Sequence, residues 1–405
     1  MVKKLVRSVL LLFWAISCFS LVEQNCLSMA ATVVEAPEWD QMFENENGWL
    51  GADGIYSVPI EIESLQKQTS QENKPVRILF LFSDTIFGST KNRGEDFQSI
   101  QMANHSMAIL EADSNGQFLP DKSRIRFLLP TDYRRAEDNL LGWRCWLQQG
   151  IVIQSSLYLT ALRFNSKTWE PEQVDLVRLP LDKSGEPIFQ PVIVEAKNKR
   201  PQSNRLLRLT YSTADNEGQI VWGAGLYDAQ EEGAVYIFGY LDNFRARSRK
   251  DLIAAKAPRS QIEDLSSWRF FNGQDWIADP TAIESNEARL ARGISSEFSV
   301  SRIPMGPGKG KFLLVYTPRG ISRDLEYRVG DSPVGPFGKP VRFYRSFVPD
   351  QLGEGVFCYN GKGHPALSRP DALLVSYNVN RLGAIAKKPT EYRPRFVWLP
   401  YESIQ

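Results

Sequence analysis

The sequence predicts an all-β fold and, within that class, a β-propeller, on three observations. Short apolar or alternating runs recur along the chain, from YSVPIEI and RILFLFSD near its start to ALLVSYNVN and RFVWLPY near its end. Val, Ile, Phe, Tyr and Leu dominate these runs, and Gly, Asn, Asp and Pro separate them, which is the pattern of strands and turns. Five of them look alike: ILFLFSDT, SLYLTALRF, AVYIFGYLD, KFLLVYTPR and ALLVSYNVN each follow a turn-like stretch and pass from apolar to polar residues. Repeated units of three to four strands suit a propeller, whose ring leaves only short sheet edges. A pair of β-sandwiches is the competing layout. Helical periodicity, finally, is scarce: Lys250–Lys256, ahead of Pro258, and a weaker stretch from Glu38 to Glu46 are the helices predicted.

The first residues have the layout of an export signal. Lys3, Lys4 and Arg7 precede an uncharged apolar run from Val9 to Val22, and CLSMAA offers small residues for cleavage near Ala30 or Ala31. An uncleaved anchor is the alternative, but the run is shorter than the ~20 residues that span a bilayer comfortably. WAISC also puts small and apolar residues ahead of Cys18, as for lipid attachment, although the apolar run continues past that cysteine. With residues 1–30 removed as a signal, residues 31–405 are expected to form one exported domain, because no Pro/Gly/Ser linker divides them. The polar, Pro-bearing segment 166–202 is expected to be an elaborated loop. The cysteines left are Cys145 and Cys358; export permits a disulfide between them, and two buried thiols are the alternative.

Composition narrows the function. The 405 residues are 42% apolar, enough for a sizeable core. A net charge of +1 gives no reason to expect nucleic acid or an anionic membrane as partner. The two histidines, His105 and His364, do not suffice for a multi-histidine metal site, and a Ser-His triad would have to use one of them. A central cation would fit a propeller channel, but no ligand cluster calls for one, and no cofactor is expected.

Several acids are placed for chemistry. Asp53 sits in GADGIYS, between glycines and ahead of an alternating strand. Asp84 follows five consecutive apolar residues in RILFLFSDTIFG, where a charge emerges from a buried strand end. Each alone also fits a turn. In a propeller, inner strands converge on a central channel and bring distant carboxylates into one pocket. Two carboxylates are the minimum for glycoside hydrolysis, one to protonate the leaving oxygen and one to act as base or nucleophile. Glu297, in GISSEFSVSRIP, shares the polar face of its strand with Arg302; a surface ion pair is the plainer account. Asp279, next to Pro280, ranks below these as a turn acid. GWRCWLQQG gathers Trp143, Arg144 and Trp146, where Arg144 suits a carboxylate or sugar hydroxyl and a core Trp with a stacked Arg is the alternative. GPGKGK (306–311) lacks the spacing and helix of a phosphate loop and is expected to be a hairpin turn.

Taken in order, WLGADGIYSVPI, ILFLFSDTIFG, NHSMAIL, GAVYIFGYLD, SSEFSVSRIP, FLLVYTPRGISRDLEYRVGDSPVGPF, GHPALS and LLVSYNVN resemble a family of extracellular bacterial five-bladed propellers. That family, long labelled as a domain of unknown function, includes endo-acting D-arabinanases. The resemblance runs through most of residues 48–400 and is carried by the ordered set of motifs. It implies a five-bladed β-propeller and a glycoside-cleaving pocket acting on an arabinan-like or other glycan. Asp53 and Asp84 match its two early Asp motifs and are implied as the acid/base or nucleophile pair, on neighbouring innermost strands. Glu297 matches a third landmark, across the pocket. Asn104, His105, Trp143, Arg144, Arg302, His364 and Asn378 are the expected sugar-binding residues; Asn104 and His105 stand in the reverse of the family's order. A monomer with carbohydrate as its partner is expected, and a non-catalytic carbohydrate- or surface-binding propeller is the alternative.

Overall fold

The computed structural model describes residues 32–60, 77–92, 96–113, 115–128, 145–165, 167–168, 171–189, 192–193, 208–212, 217–244, 249–382, 388 and 391–405. The proposed signal, residues 1–30, lies outside them. Val33–Gln405 folds as one compact unit, nearly all β.

Five sheets are built on strands labelled here β1 (Tyr56–Ile60), β2 (Cys145–Ile153), β3 (Glu217–Ala229), β4 (Phe298–Arg302) and β5 (Val356–Gly363). From β1 the first sheet continues through Arg77–Phe82, Ser106–Glu111 and Arg124–Leu128. From β2 the second continues through Ser156–Phe164, Pro171–Pro180 and Val192–Ile193. The third is the largest: β3 pairs with Arg208–Ser212 on one side and Ala234–Asn243 on the other, and Arg249–Pro258 follows. From β4 the fourth continues through Phe312–Tyr316, Asp324–Gly330 and Val341–Arg345. From β5 the fifth continues through Ala372–Arg381 and Arg395–Pro400, and is completed by Val34–Glu35 from the other end of the described chain. A sixth sheet joins Asn47–Ala52, Thr85–Lys91 and Asp96–Ala103. The five look-alike runs fall in five different sheets, each directly beside one of the labelled strands.

Side-chain alternation explains how the sheets stack. In Arg77–Phe82, Leu79 and Leu81 join an apolar cluster with Leu147, Leu157 and Leu159 of the second sheet. Ile78, Phe80 and Phe82 point the other way, into a cluster with Leu374, Phe396 and Trp398 of the fifth. Successive side chains on a strand face opposite sides, so a strand buried on both reads as an unbroken apolar run. Similar clusters join the second sheet to the third, the third to the fourth and the fourth to the fifth. The labelled strands themselves pack in chain order, β1 on β2, β2 on β3, β3 on β4 and β4 on β5.

Helix α1 (Pro37–Met42) lies in the stretch predicted as helix around Glu38–Glu46. Proline in its first turn supplies a helical φ, and Glu38 and Asp40 there favour the helix dipole. Just beyond it, Phe43 stacks on Phe396 at 5.4 Å and meets Phe80 edge-on at 5.5 Å, filling the cleft between the first and fifth sheets. A buried Phe of this kind contributes about 2–3 kcal/mol.

Two expectations are corrected. Lys250–Lys256 is strand, within Arg249–Pro258, because Leu252 and Ala254 are buried on one side and Ile253, Ala255 and Ala257 on the other. Burial on two faces outweighs the helix propensity of its alanines. Segment 166–202 includes the strand Pro171–Pro180, whose Val174, Leu176, Val177 and Leu179 are buried. Of the two readings of the cysteines, the structure bears out buried thiols: Cys145 and Cys358 are both free, in separate apolar clusters. The stretch 306–311 is the expected turn: Gly306 and Gly310 take positive φ between β4 and Phe312–Tyr316.

Gly54, with φ +62°, lies where an added Cβ would come within 2.3 Å of Ser83 Oγ and 2.8 Å of its Cβ. The left-handed conformation alone costs a residue with a Cβ about 1–2 kcal/mol. Gly54→Ala should therefore lower the thermal midpoint by more than an alanine at the open, positive-φ Gly233 does, measured in parallel melts.

Candidate active site

The two early aspartates occupy one structural event. Asn47–Ala52 and Thr85–Lys91 pair in the sixth sheet, ending at Ala52 opposite Thr85. The adjoining stretches of chain, Tyr56–Ile60 and Arg77–Phe82, pair in the first sheet, beginning at Tyr56 opposite Leu81. Between these pairings both leave one sheet for another, and Asp53 and Asp84 sit at the crossing. Two backbone bonds hold it: Asp53 N–H donates to the Asp84 carbonyl at 3.1 Å, and Ser83 N–H donates to the Asp53 carbonyl at 2.8 Å. The acids are thus neighbours, although not on neighbouring innermost strands. Asp53 precedes β1, and Asp84 follows the second strand of the same sheet, which apolar packing on both faces keeps central.

The carboxyl groups have different partners. Asp53 Oδ2 accepts hydrogen bonds from the Tyr359 hydroxyl at 2.8 Å and the Tyr392 hydroxyl at 3.0 Å. Asp84 Oδ1 accepts from Trp146 Nε1 at 2.9 Å and Asn104 Nδ2 at 3.4 Å. Glu297, directly ahead of β4, forms an ion pair with Lys362 Nζ from β5, and that ammonium lies 4.2 Å from the centre of the Tyr56 ring.

Burial raises Asp53 well above the ordinary carboxylate range, and the charges of Asp84 and Glu297 push it further; the two tyrosine hydroxyls oppose the shift. Burial raises Asp84 too, against the pull of Trp146 and Asn104. Lys362 is lowered by burial and held up by Glu297. Different surroundings for neighbouring carboxyl groups are what divides acid and base roles between like groups.

A cavity of about 250 Å³ borders the site, lined by Trp146, Gln148, Gln219, Asp242, Lys250 and Glu297 among others. Trp146 stacks on Phe164 at 4.3 Å, which fixes its indole.

The expected residues divide into three groups. Asp53, Asp84 and Asn104 belong to the hydrogen-bonded centre and Glu297 borders the cavity beside it, with Glu297 and Asp53 linked through their charges. Trp143 and Arg144 lie outside the described residues; from their motif it is Trp146 that reaches Asp84. The rest have other placements. His105 Nδ1 faces Cys145 Sγ at 3.6 Å. His364 is buried between Ser57 Oγ, at 2.9 Å, and Ser376 Oγ, at 2.7 Å, and burial, then Lys362, lowers its pKa to about 3. It is a neutral tie between the first and fifth sheets. Asn378 is buried and donates to the Ala52 carbonyl at 3.0 Å, steadying the residue before Asp53. Arg302 lies at the far end of β4 from Glu297, about 16 Å along an extended strand. It pairs with exposed Glu231 and lines a separate cavity of about 370 Å³ with Ser57 and Tyr227. Asp279 caps its own turn, accepting from Thr281 N–H at 2.9 Å.

Tyr359, Tyr392 and Lys362 are site residues that sequence reasoning missed. Tyr359 and Lys362 flank Asn360-Gly361 in CYNGKG, where a lysine inside an apolar-flanked strand was the available signal. Among the described residues, no three His, Cys, Asp or Glu side chains gather as metal ligands.

A family described as a domain of unknown function, DUF5005, matches residues 37–400 of the chain. No curated protein matches. Among solved structures, a presumed hydrolase from Bacteroides ovatus superposes with a TM-score of 0.60 at 14% identity, covering 90% of this chain and 89% of that one. At that identity the likeness concerns the fold. An alpha-L-arabinofuranosidase from Podospora anserina, in complex with cellotriose, superposes with a TM-score of 0.43 at 13% identity, covering 92% and 96%. A GH43_1 enzyme from Xanthomonas citri, complexed with xylose, gives 0.44 at 11% identity, covering 90% and 93%.

Two outcomes follow from the site's electrostatics. Removing one partner of a buried ion pair costs about 3–5 kcal/mol. Lys362→Met should therefore destabilise the fold strongly, and Glu297→Gln added to it should restore much of the loss in denaturant unfolding. For Asp53, the folded pKa lies above the unfolded value near 4. The unfolded chain then releases its proton first as pH rises, so this group lowers stability progressively from about pH 4 upward. Asp53→Asn should raise the melting temperature at pH 7.5 and lose that advantage by pH 4, as read by calorimetry.

Proposed function

The chain belongs to the DUF5005 family, and from that premise we propose that it is an exported glycoside hydrolase built on a five-bladed β-propeller. Support for the propeller comes from the five successive sheets, the apolar cluster shared by each with the next, and the cluster that joins the fifth to the first. Export rests on the sequence of residues 1–30. The substrate class is a polysaccharide, arabinan-like or another cell-surface or plant glycan, as the motif set implies.

One observation carries the activity: two aspartates joined through their backbones sit side by side where burial raises the proton affinity of Asp53, and the lysine-paired Glu297 acts on it through its charge. Asp53 acts as general acid and gives its proton to the leaving glycosidic oxygen. Tyr359 and Tyr392 aim that carboxyl and stabilise its carboxylate once the proton has left. Asp84, held by two N–H donors, is the partner carboxylate, acting as base toward water or as nucleophile toward the anomeric carbon. Lys362 pairs with Glu297, and the charge of Glu297 raises Asp53 in turn. Trp146 serves twice, since its N–H orients Asp84 and its ring stands in the wall of the adjoining cavity.

The test is cleavage of a panel of arabinans, galactans and other glycans by the purified chain, beside Asp53→Asn and Asp84→Asn. Each substitution should lower turnover by at least ~10²-fold, the ordinary share of a positioned acid or base, with circular dichroism unchanged. Glycan binding kept in both variants, with no cleavage by any form, would make the protein a carbohydrate-binding propeller instead.

A further inference from the structure

The cavity beside Glu297 has a chemical character of its own. Gln148, Gln219 and Asp242 line it, each more than nine-tenths buried. Gln148 Oε1, Gln219 Oε1 and Asp242 Oδ1 have no hydrogen-bond partner among the described residues. Buried oxygens are ordinarily satisfied, and three orphans around one cavity mark a place built to meet donors. They come from β2, β3 and Ala234–Asn243, so two different sheets contribute them.

We propose that this cavity is a glycosyl subsite for an uncharged sugar unit, whose hydroxyls donate to Gln148, Gln219 and Asp242, and that it rejects uronate units. The proposal rests on the carbohydrate reading of the neighbouring carboxylates. Charge decides the ligand class. The cavity's two acids already have cations: Asp242 Oδ2 pairs with Lys250 at 3.1 Å, and Glu297 pairs with Lys362. A metal ion would find carboxylates already paired with cations and would face the Lys250 ammonium in the wall. A uronate or sulfated unit would set its anion against acceptor oxygens, with both ammoniums already engaged. A neutral ring brings what the walls lack, O–H donors. About 250 Å³ equals the liquid volume of roughly eight waters, room for one such ring. The three oxygens are themselves closed to solvent. Each sits on a terminal sp³–sp² torsion, which is broad and soft, so a small rotation turns it toward the ligand. Trp146 supplies an aromatic face in the same wall.

The experiment is calorimetric titration of the full chain in an Asp53→Asn background with neutral arabino-, galacto- and xylo-oligosaccharides, and with oligogalacturonates of matched length. The variants are Gln148→Met and Gln219→Met, which keep side-chain length and remove the amide. Binding of a neutral series, weakened about tenfold by either variant, with oligogalacturonates binding at least tenfold more weakly, supports the subsite. Because each variant deletes an unsatisfied buried oxygen, the unliganded Met variants should melt no lower than their parent, which separates lost recognition from lost folding. Equal binding by the variants, equal binding of uronates, or no binding of any neutral oligosaccharide would overturn it. The hydrolase reading is judged apart. Cleavage by the wild type with unaffected Met variants removes the subsite and spares the hydrolase. Neutral-sugar binding weakened by both Met variants, with no cleavage by the wild type, does the reverse.

Discussion

The site depends on one pair of backbone hydrogen bonds, between Asp53 and Asp84 and between Ser83 and Asp53. They hold together two segments that are leaving one sheet for another, and without them both backbones would turn with unpaired polar groups in a buried place. That crossing requires a tight conformation at Gly54, which packs directly over Ser83. It also fixes the chemistry. Two carboxyl groups carried by bonded turns cannot be separated, so burial and mutual repulsion act on them together. The raised proton affinity of Asp53 is thus a consequence of how two strands change sheets.

The surroundings compensate in two ways. The aspartates receive neutral donors, namely two phenols, an indole and an amide. Glu297 receives a full ammonium, from Lys362 on the next labelled strand. Neutral donors steady a carboxylate without abolishing its proton affinity, whereas a buried cation commits its partner to the charged form. One site therefore holds an acid of raised proton affinity and a lysine-paired carboxylate whose charge helps to raise it. Buried charge of this kind lowers stability, and an aromatic cluster offsets it: Phe43, after α1, packs with Trp49 of the sixth sheet and Phe80 and Phe82 of the first.

Other polar groups on and beside these strands tie sheets together or face a second cavity. His364 ties Ser57 of the first sheet to Ser376 of the fifth, in place of the sugar contact expected of it. Arg302 stands five residues beyond Glu297 and faces a separate cavity. Direction along a strand, as much as residue type, decides which end of the molecule a side chain serves.

The all-β class, the five similar runs and the two early aspartates were legible in the sequence, because strand alternation and turn residues are local properties. Glu297 could be singled out for the same reason, by the alternation of Phe298 and Val300 on the opposite face. What sequence could not supply was who meets whom across long separations. Tyr359 and Tyr392 reach Asp53 over more than 300 residues, and Lys362 reaches Glu297 over 65. Lys250–Lys256 looked helical by composition, yet burial on both faces made it a strand. Cys145 and Cys358 offered a disulfide by count, yet they lie in separate apolar clusters. Residue order determined the strands and placed acids at their ends; only tertiary packing decided which acids became neighbours, which donors they received and therefore which of them keeps its proton.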